Sequence, residues 1–224
     1  MTEERSVDRF VVFIDAVVAI AITLLVLPLA GVPRTGGGDP LHGLGAQLSL
    51  DSGPFVGFAV SFFVIGRSWW AHHQAFAPVR RWSPPLVRLS FLWLFTIVLL
   101  PAVTAFSFSY SPRRSPVPVL LYVGTMLVSS LLLTALSAIA HRDRAVAPDG
   151  GDVASRNRLI GTTATSIAFA VALVLGTLIP VLNFWALLTI PLTGPFEALV
   201  RRHYARRGPS VGSATMEGSE QQRS

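Results

Sequence analysis

The sequence predicts an all-α integral membrane protein with six transmembrane helices per subunit. Of the 224 residues, 51% are hydrophobic and only 13% are charged, and the mean hydropathy is +0.57. This balance is unusual for a soluble domain of the same length. The apolar residues also form long runs of about 20 residues, which is the length that crosses a bilayer core. The chain contains no cysteine, so disulfides and thiolate sites are excluded.

Six apolar segments are long enough to span a membrane, and together they predict one transmembrane domain over residues 1–200. They are residues 10–29, 55–73, 86–108, 118–140, 159–179 and 181–199. The first contains Asp15 and is not followed by a small-residue cleavage site, so we expect a permanent helix and not a cleaved signal. A turn around Pro180 predicts that the fifth and sixth segments form a tight hairpin. The polar residues 201–224 are expected to be a disordered cytoplasmic tail.

The basic residues, all of which are arginines, indicate how the helices are oriented. One set of helix ends carries Arg5, Arg9, Arg80, Arg81, Arg88, Arg142, Arg144, Arg156, Arg158, Arg201, Arg202, Arg206 and Arg207. The opposite set carries only Arg34, Arg113 and Arg114. The positive-inside rule therefore predicts a multi-pass protein of the cell membrane with both termini in the cytoplasm, as six crossings require. The same rule explains the net charge of +6, and we expect no nucleic-acid partner.

Two charged residues fall inside the predicted spans at a similar depth. Asp15 lies about 9 Å inward from Arg9, and Arg67 lies about as far inward from His73. An unpaired charge among lipid tails is costly, so we expect Asp15 to pair with Arg67, His72 or His73. The alternative is an Arg67 that extends to the membrane surface and an Asp15 at the edge of a polar patch. The adjacent histidines point about 100° apart and cannot jointly chelate one metal from this helix, so no metal site is predicted.

The first helix also carries an apolar stripe on the side away from Asp15. At about 100° per residue, five residues fall within a sector of about 80°. They are Phe13, Ala16, Ile20, Thr23 and Leu27. Ile20 lies about 16 Å inward from Arg9, near the middle of the bilayer. Such a stripe is usually a packing surface, and periodicity alone does not distinguish packing from a pore lining.

These residues resemble the transmembrane protein 175 family of potassium channels. The family signature is Arg-x-x-x-Phe-Ser-Asp followed by an Ala-Ile-Ala-Ile-Thr-Leu-Leu run, and "RFVVFIDAVVAIAITLL" matches it at Arg9, Phe13, Asp15 and residues 19–25. The segment "SFFVIGRSWWAHHQAF" is similar to the family's second helix, which ends in Trp-x-x-His. That motif is matched by Trp69 or Trp70 and His72 or His73.

The third segment, "RLSFLWLFTIVLLPAVTAF", resembles the family's Leu-rich helix with an internal proline, here Pro101. The resemblance covers about the first 110 residues, and the rest of the chain matches by helix count alone. Two positions depart from the family pattern: Ile14 replaces a serine, and Arg88 replaces an asparagine. The polar network around Asp15 is therefore expected to be arranged differently.

The resemblance implies a potassium-selective, leak-like cation channel. It would be a homotetramer whose central pore is lined by the first helix of each subunit, with potassium as the permeant ion and no cofactor. The family lacks a carbonyl filter, and this chain has no "TVGYG". The pore positions of the family correspond to Ile20 as the apolar constriction, Thr23 as the next ring and Leu27 as the ring beyond it. The supporting network would comprise Arg9, Phe13, Asp15, Arg67, Trp70, His72, His73 and Arg88.

Three other functions remain open from the sequence. A proton-coupled transporter or proton-conducting channel would use Asp15 with His72 or His73 as a relay, although no repeat of paired broken helices is visible. An enzyme is not expected, because no nucleophile motif, phosphate loop or metal-ligand spacing is present. A non-conducting scaffold would use the apolar stripe for packing only.

Overall fold

The structure, a computed structural model, describes residues 2–30, 53–109, 116–148 and 151–178. They form the helices α1 (Thr2–Leu24), α2 (Leu27–Ala30), α3 (Gly53–Phe76), α4 (Pro84–Ser109), α5 (Val117–Arg142) and α6 (Val153–Leu178). Among the described residues, five stretches are long and apolar enough to cross a membrane, and one of them, Arg5–Leu29, contains most of α1 and α2. The expected sixth span at 181–199 and the tail at 201–224 lie outside the described residues. The described part is thus all-helical, as the sequence predicts.

The first span is broken near its end and is not one continuous helix over residues 10–29. Helix α1 ends at Leu24, and a turn precedes the short α2. Pro28 explains the break, because proline has no N–H to donate and its ring clashes with the carbonyl four residues earlier. The amides of Leu25 and Val26 instead reach carbonyls three residues back, at 3.3 Å in both cases, which is the tighter 3₁₀ pattern.

The described helices pack so that α1 lies against α3 and α4, while α5 packs on α4 and α6. Helix α3 also contacts α5 and α6 and so connects the two groups. The largest fully buried side chain is that of Trp93 on α4, and Ile14 of α1 belongs to the same core. Among the described helices, α3 and α4 therefore pack against one side of α1.

Buried hydroxyl groups join neighbouring helices inside this bundle. The Ser61 hydroxyl of α3 lies 2.8 Å from both the Thr104 hydroxyl of α4 and the Tyr122 hydroxyl of α5. Ser130 of α5 and Ser166 of α6 make a similar contact at 2.8 Å. A hydroxyl surrounded by apolar side chains needs a protein partner, so these pairs fix how the helices meet.

Helices α3 and α4 approach each other closely at Gly57, and this contact predicts a stability effect. A Cβ atom at Gly57 would lie 2.6 Å from Cγ and Cδ2 of Phe108, whose ring packs edge-on against Tyr122 at 5.4 Å. Gly57→Ala should therefore lower the free energy of unfolding by about 1–3 kcal/mol. Gly66→Ala on the same helix is the matched control, because its Cβ would meet no atom within 4 Å. Thermal unfolding in detergent should show a lower midpoint for the first variant alone, and equal midpoints would contradict the argument.

Candidate functional site

Helix α1 has one buried face and one exposed apolar face. The buried face comprises Val7, Ile14, Val18, Ala21 and Leu25. On the opposite side, Ile20 is 59% exposed and Leu27 is 60% exposed, and Phe13, Ala16 and Thr23 are exposed as well. The apolar stripe expected from the helical period is therefore a face that the described helices leave uncovered. We call it the α1 stripe, made of Phe13, Ala16, Ile20, Thr23 and Leu27.

Thr23 adds a polar group to the α1 stripe. Its hydroxyl donates a hydrogen bond to the Ile20 carbonyl, with Oγ1 2.8 Å from that oxygen. This bond uses the single O–H donor, so the oxygen lone pairs of the hydroxyl are what it offers to the surroundings. The residue lies at the end of α1, next to the break before α2.

Asp15 lies outside the α1 stripe and is bound to α3. Its carboxylate accepts a hydrogen bond from Trp69 Nε1 at 2.7 Å. The sequence predicts a partner for Asp15 among Arg67, His72 and His73, and the described contact of its carboxylate is instead with Trp69.

The reason lies in the geometry of α3. Arg67 precedes Trp69 by two residues, so the two side chains leave α3 in directions about 160° apart. Trp69 points to α1, whereas Arg67 points to α6 and donates from Nη2 to Thr165 Oγ1 at 2.9 Å. Arg67 is thus half-buried and is joined to α6 by this hydrogen bond.

His72 is buried between aromatic rings. Its imidazole stacks on Trp93 with ring centroids 4.3 Å apart and on Phe76 with centroids 4.6 Å apart. Within the described ranges, neither imidazole nitrogen has a hydrogen-bond partner. His73 instead is exposed and stacks on the exposed Trp70. Of the two possible Trp-x-x-His alignments, Trp69 with His72 is therefore the one that faces the interior.

The remaining signature residues lie around the arginine-rich end of the bundle. Arg9 and Arg88 are exposed, and among the described residues neither takes part in an ion pair. Phe13 contacts the ring of Phe91 on α4 at a centroid distance of 6.4 Å. The structure therefore brings Asp15 and Trp69 together, and it does not bring Arg9, Arg88 or Trp70 into that contact.

Trp69 is the residue whose role the sequence leaves ambiguous. Tandem tryptophans precede tandem histidines in "WWAHH", so two alignments fit one Trp-x-x-His pattern. The rotation of α3 about its axis places Trp69, and not Trp70, against Asp15. That rotation depends on tertiary packing.

Comparison with known proteins finds a family match within the first half of the chain. Residues 9–101 match the family model described as endosomal/lysosomal potassium channel TMEM175. Over these residues the chain resembles the TMEM175 family. The matched range contains the first-helix signature and Pro101, so the resemblance inferred from those residues is confirmed. Members of this family are ion channels, a class distinct from enzymes.

Two relatives extend the comparison beyond the matched TMEM175 range. A potassium channel from Streptomyces collinus is 37% identical over 138 residues, which are 61% of this chain and 64% of that protein. The chain thus spans less than two thirds of the length of that relative. The crystal structure of a lysosomal potassium-selective channel TMEM175 homolog from Chamaesiphon minutus superposes with a TM-score of 0.64 at 22% identity. The superposition covers 91% of this chain and 98% of that chain, and it shows that the two share a fold.

Proposed function

We propose that the chain is one subunit of a homotetrameric, potassium-selective, leak-like cation channel of the cell membrane. Each subunit would contribute six transmembrane helices with both termini in the cytoplasm, and α1 of each would surround the central pore. The observation that carries this proposal is the α1 stripe, an exposed apolar face on the helix that bears the TMEM175 signature. The potassium channel name of the Streptomyces collinus relative supports the choice of ion.

The composition of the stripe favours a pore over contact with lipid. Ala16 and Thr23 are small or polar, and small residues let helices approach one another closely in membranes. A hydroxyl gains nothing from facing lipid tails, whereas it is useful beside a hydrated ion. Four copies of this face around one axis would cover the apolar surface that the single chain leaves exposed.

Conduction would then be controlled by Ile20 and assisted by Thr23. A narrow ring of four isoleucines excludes water, so an ion entering it loses hydration and the pore is closed by dewetting. Opening would widen or rotate this ring. The Thr23 oxygens would help a partly dehydrated cation past the ring, which favours potassium because potassium loses water more readily than sodium. Leu27 would form the next ring, beyond the break in the first span.

Bilayer recordings of the purified full-length protein test this proposal. With potassium on one side and sodium on the other, we expect a reversal potential close to that for potassium permeation. A silent protein of confirmed tetrameric stoichiometry would indicate a scaffold, and flux that requires a pH gradient would indicate proton coupling. A Thr23→Ala channel with an unchanged permeability ratio would contradict the role given to Thr23.

The proton-coupled alternative gains no support from the site. The relay would need Asp15 and a histidine to exchange a proton directly or through a chain of hydrogen bonds. Asp15 instead accepts from the Trp69 indole, and His72 lies between two aromatic rings without a hydrogen bond to any described residue. The channel is therefore the function we propose.

A further inference from the structure

The start of α1 is bound to the loop between α3 and α4, residues 77–83. Trp82 of this loop donates a hydrogen bond from Nε1 to the Ser6 hydroxyl oxygen of α1. One turn later, Phe10 of α1 packs edge-on against the Trp82 ring, with centroids 5.1 Å apart. One loop side chain thus makes a polar and an aromatic contact with the same face of α1. We call Ser6, Phe10 and Trp82 the α1 anchor.

Two further rings enclose Phe10 within the anchor. Phe76, the last residue of α3, lies at a centroid distance of 6.2 Å, and Phe91 of α4 lies at 5.6 Å. Aromatic pairs at these distances attract one another beyond the effect of burial. The ring of Phe10 is therefore held by α3, by α4 and by the loop that joins them.

The loop that carries Trp82 is itself fixed to the rest of the bundle. The backbone amides of Arg80 and Arg81 both donate to the Val146 carbonyl, at 2.9 and 3.2 Å. Val146 lies in the loop that follows α5, and its side chain and that of Val79 are buried in the core. Trp82 therefore holds α1 from a loop that is packed against a second loop.

Two indole hydrogen bonds fix the tilt of α1 against the bundle. Trp82 binds Ser6, and Trp69 binds Asp15, nine residues later and about 14 Å further along the helix. Two such points set the direction of a rod, whereas a single point leaves it free to pivot. Ile20 lies about 7.5 Å beyond Asp15, so a pivot of about 10° at Asp15 moves Ile20 by about 1.3 Å. The α1 anchor therefore limits how far Ile20 can move.

We propose that Trp82 is a positioning residue for α1, and that the α1 anchor limits the opening of the proposed constriction at Ile20. This inference rests on the proposed channel function. The free energy of entering a dewetted neck falls steeply as the neck widens. Wider arrangements therefore dominate the average current, and an α1 that pivots more freely conducts more. Trp82 acts through α1 and not on the ion, since it lies between the spans Gly53–Phe76 and Pro84–Phe108.

Hydrogen–deuterium exchange of the full-length protein in detergent tests the anchor without reference to conduction. Trp82→Phe keeps a ring against Phe10 but removes the donor, and Ser6→Ala removes the acceptor. Each should speed amide exchange in the first turns of α1 by about 5-fold, the typical effect of one neutral hydrogen bond. The double variant should exchange no faster than Ser6→Ala alone, because both changes remove the same bond. Arg80→Lys is the matched control, because it alters an exposed side chain of the same loop and should exchange like the wild type.

Planar bilayer recordings test the consequence for the pore. Trp82→Phe and Ser6→Ala should each raise the potassium current several-fold. Ser6→Thr retains a hydroxyl acceptor and should conduct like the wild type, as should Arg80→Lys. This rescue separates the lost hydrogen bond from any other effect of changing Ser6.

The outcomes distinguish the anchor from the channel. Wild-type exchange rates in Trp82→Phe would overturn the anchor. Faster exchange with an unchanged or lower current would overturn its control of the constriction. A silent wild-type protein would contradict the channel function, and with it the role of the anchor in conduction. Faster exchange in that silent protein would still support Trp82 as the residue that holds α1 in position.

Discussion

Replacing Ile20 with alanine should increase the potassium current at least several-fold and move the reversal potential toward zero with potassium and sodium on opposite sides. Alanine removes three carbon atoms per subunit from the proposed constriction. A wider neck holds water, so the free energy of entering it falls for every cation. Sodium, which loses its hydration less readily, gains more from this change than potassium. Current and selectivity should therefore change together in planar bilayer recordings.

The matched control for this variant is Ile167→Ala on α6. Ile167 is 60% exposed, as against 59% for Ile20, so the two substitutions remove the same atoms from equally uncovered surfaces. Ile167 lies on a helix that does not carry the TMEM175 signature, and its variant should conduct like the wild type. Equal effects of the two substitutions would contradict a constriction at Ile20, and so would an Ile20→Ala channel with wild-type current and reversal potential.

The sequence predicts the buried and exposed faces of α1 correctly, because the apolar residues of this helix recur with the helical period. The apolar residues of the α1 stripe follow a helical period, and the same period puts Ile14 and Val18 on the opposite face, which the structure buries in the core. The positions of the five described spans also follow from runs of apolar residues, since the length that crosses a bilayer is nearly constant. The break after Leu24 is a local effect of Pro28, although the sequence alone suggested one segment over residues 10–29.

The partner of Asp15 could not be obtained in the same way. Arg67, Trp69 and the histidines all lie at depths from which they could reach Asp15. Of these candidates, opposite charge favours Arg67 as the partner. The direction in which each side chain leaves α3 depends on how α3 is rotated against α1 and α6, and no pattern within α3 encodes that rotation. The tandem "WW" and "HH" pairs add to the ambiguity. Shifting the Trp-x-x-His alignment by one residue replaces the interior pair Trp69 and His72 with the exposed pair Trp70 and His73.

The contact between Asp15 and Trp69 should be essential for a stable subunit. Trp69→Phe keeps an aromatic ring but removes the N–H donor, which leaves a half-buried carboxylate without its 2.7 Å partner. Hydrogen bonds to charged groups contribute about 1.5–3 kcal/mol, so we expect a loss of that order in the free energy of unfolding. Asp15→Ala should cost a similar amount. Asp15→Asn keeps an acceptor oxygen and should fall between the wild type and Asp15→Ala.

A double-mutant cycle distinguishes the energy of the Asp15–Trp69 contact from a general loss of stability in α3. If the indole and the carboxylate stabilise the subunit through each other, Asp15→Ala with Trp69→Phe should cost less than the sum of the single variants, with a coupling energy of about 1–2 kcal/mol. Trp70→Phe is the matched control, because the adjacent indole is exposed and its described contacts are with rings. Unfolding in detergent measures the free energies, and light scattering measures the oligomer. Additive losses, or a Trp70→Phe variant as unstable as Trp69→Phe, would show that Asp15 is anchored by something other than Trp69.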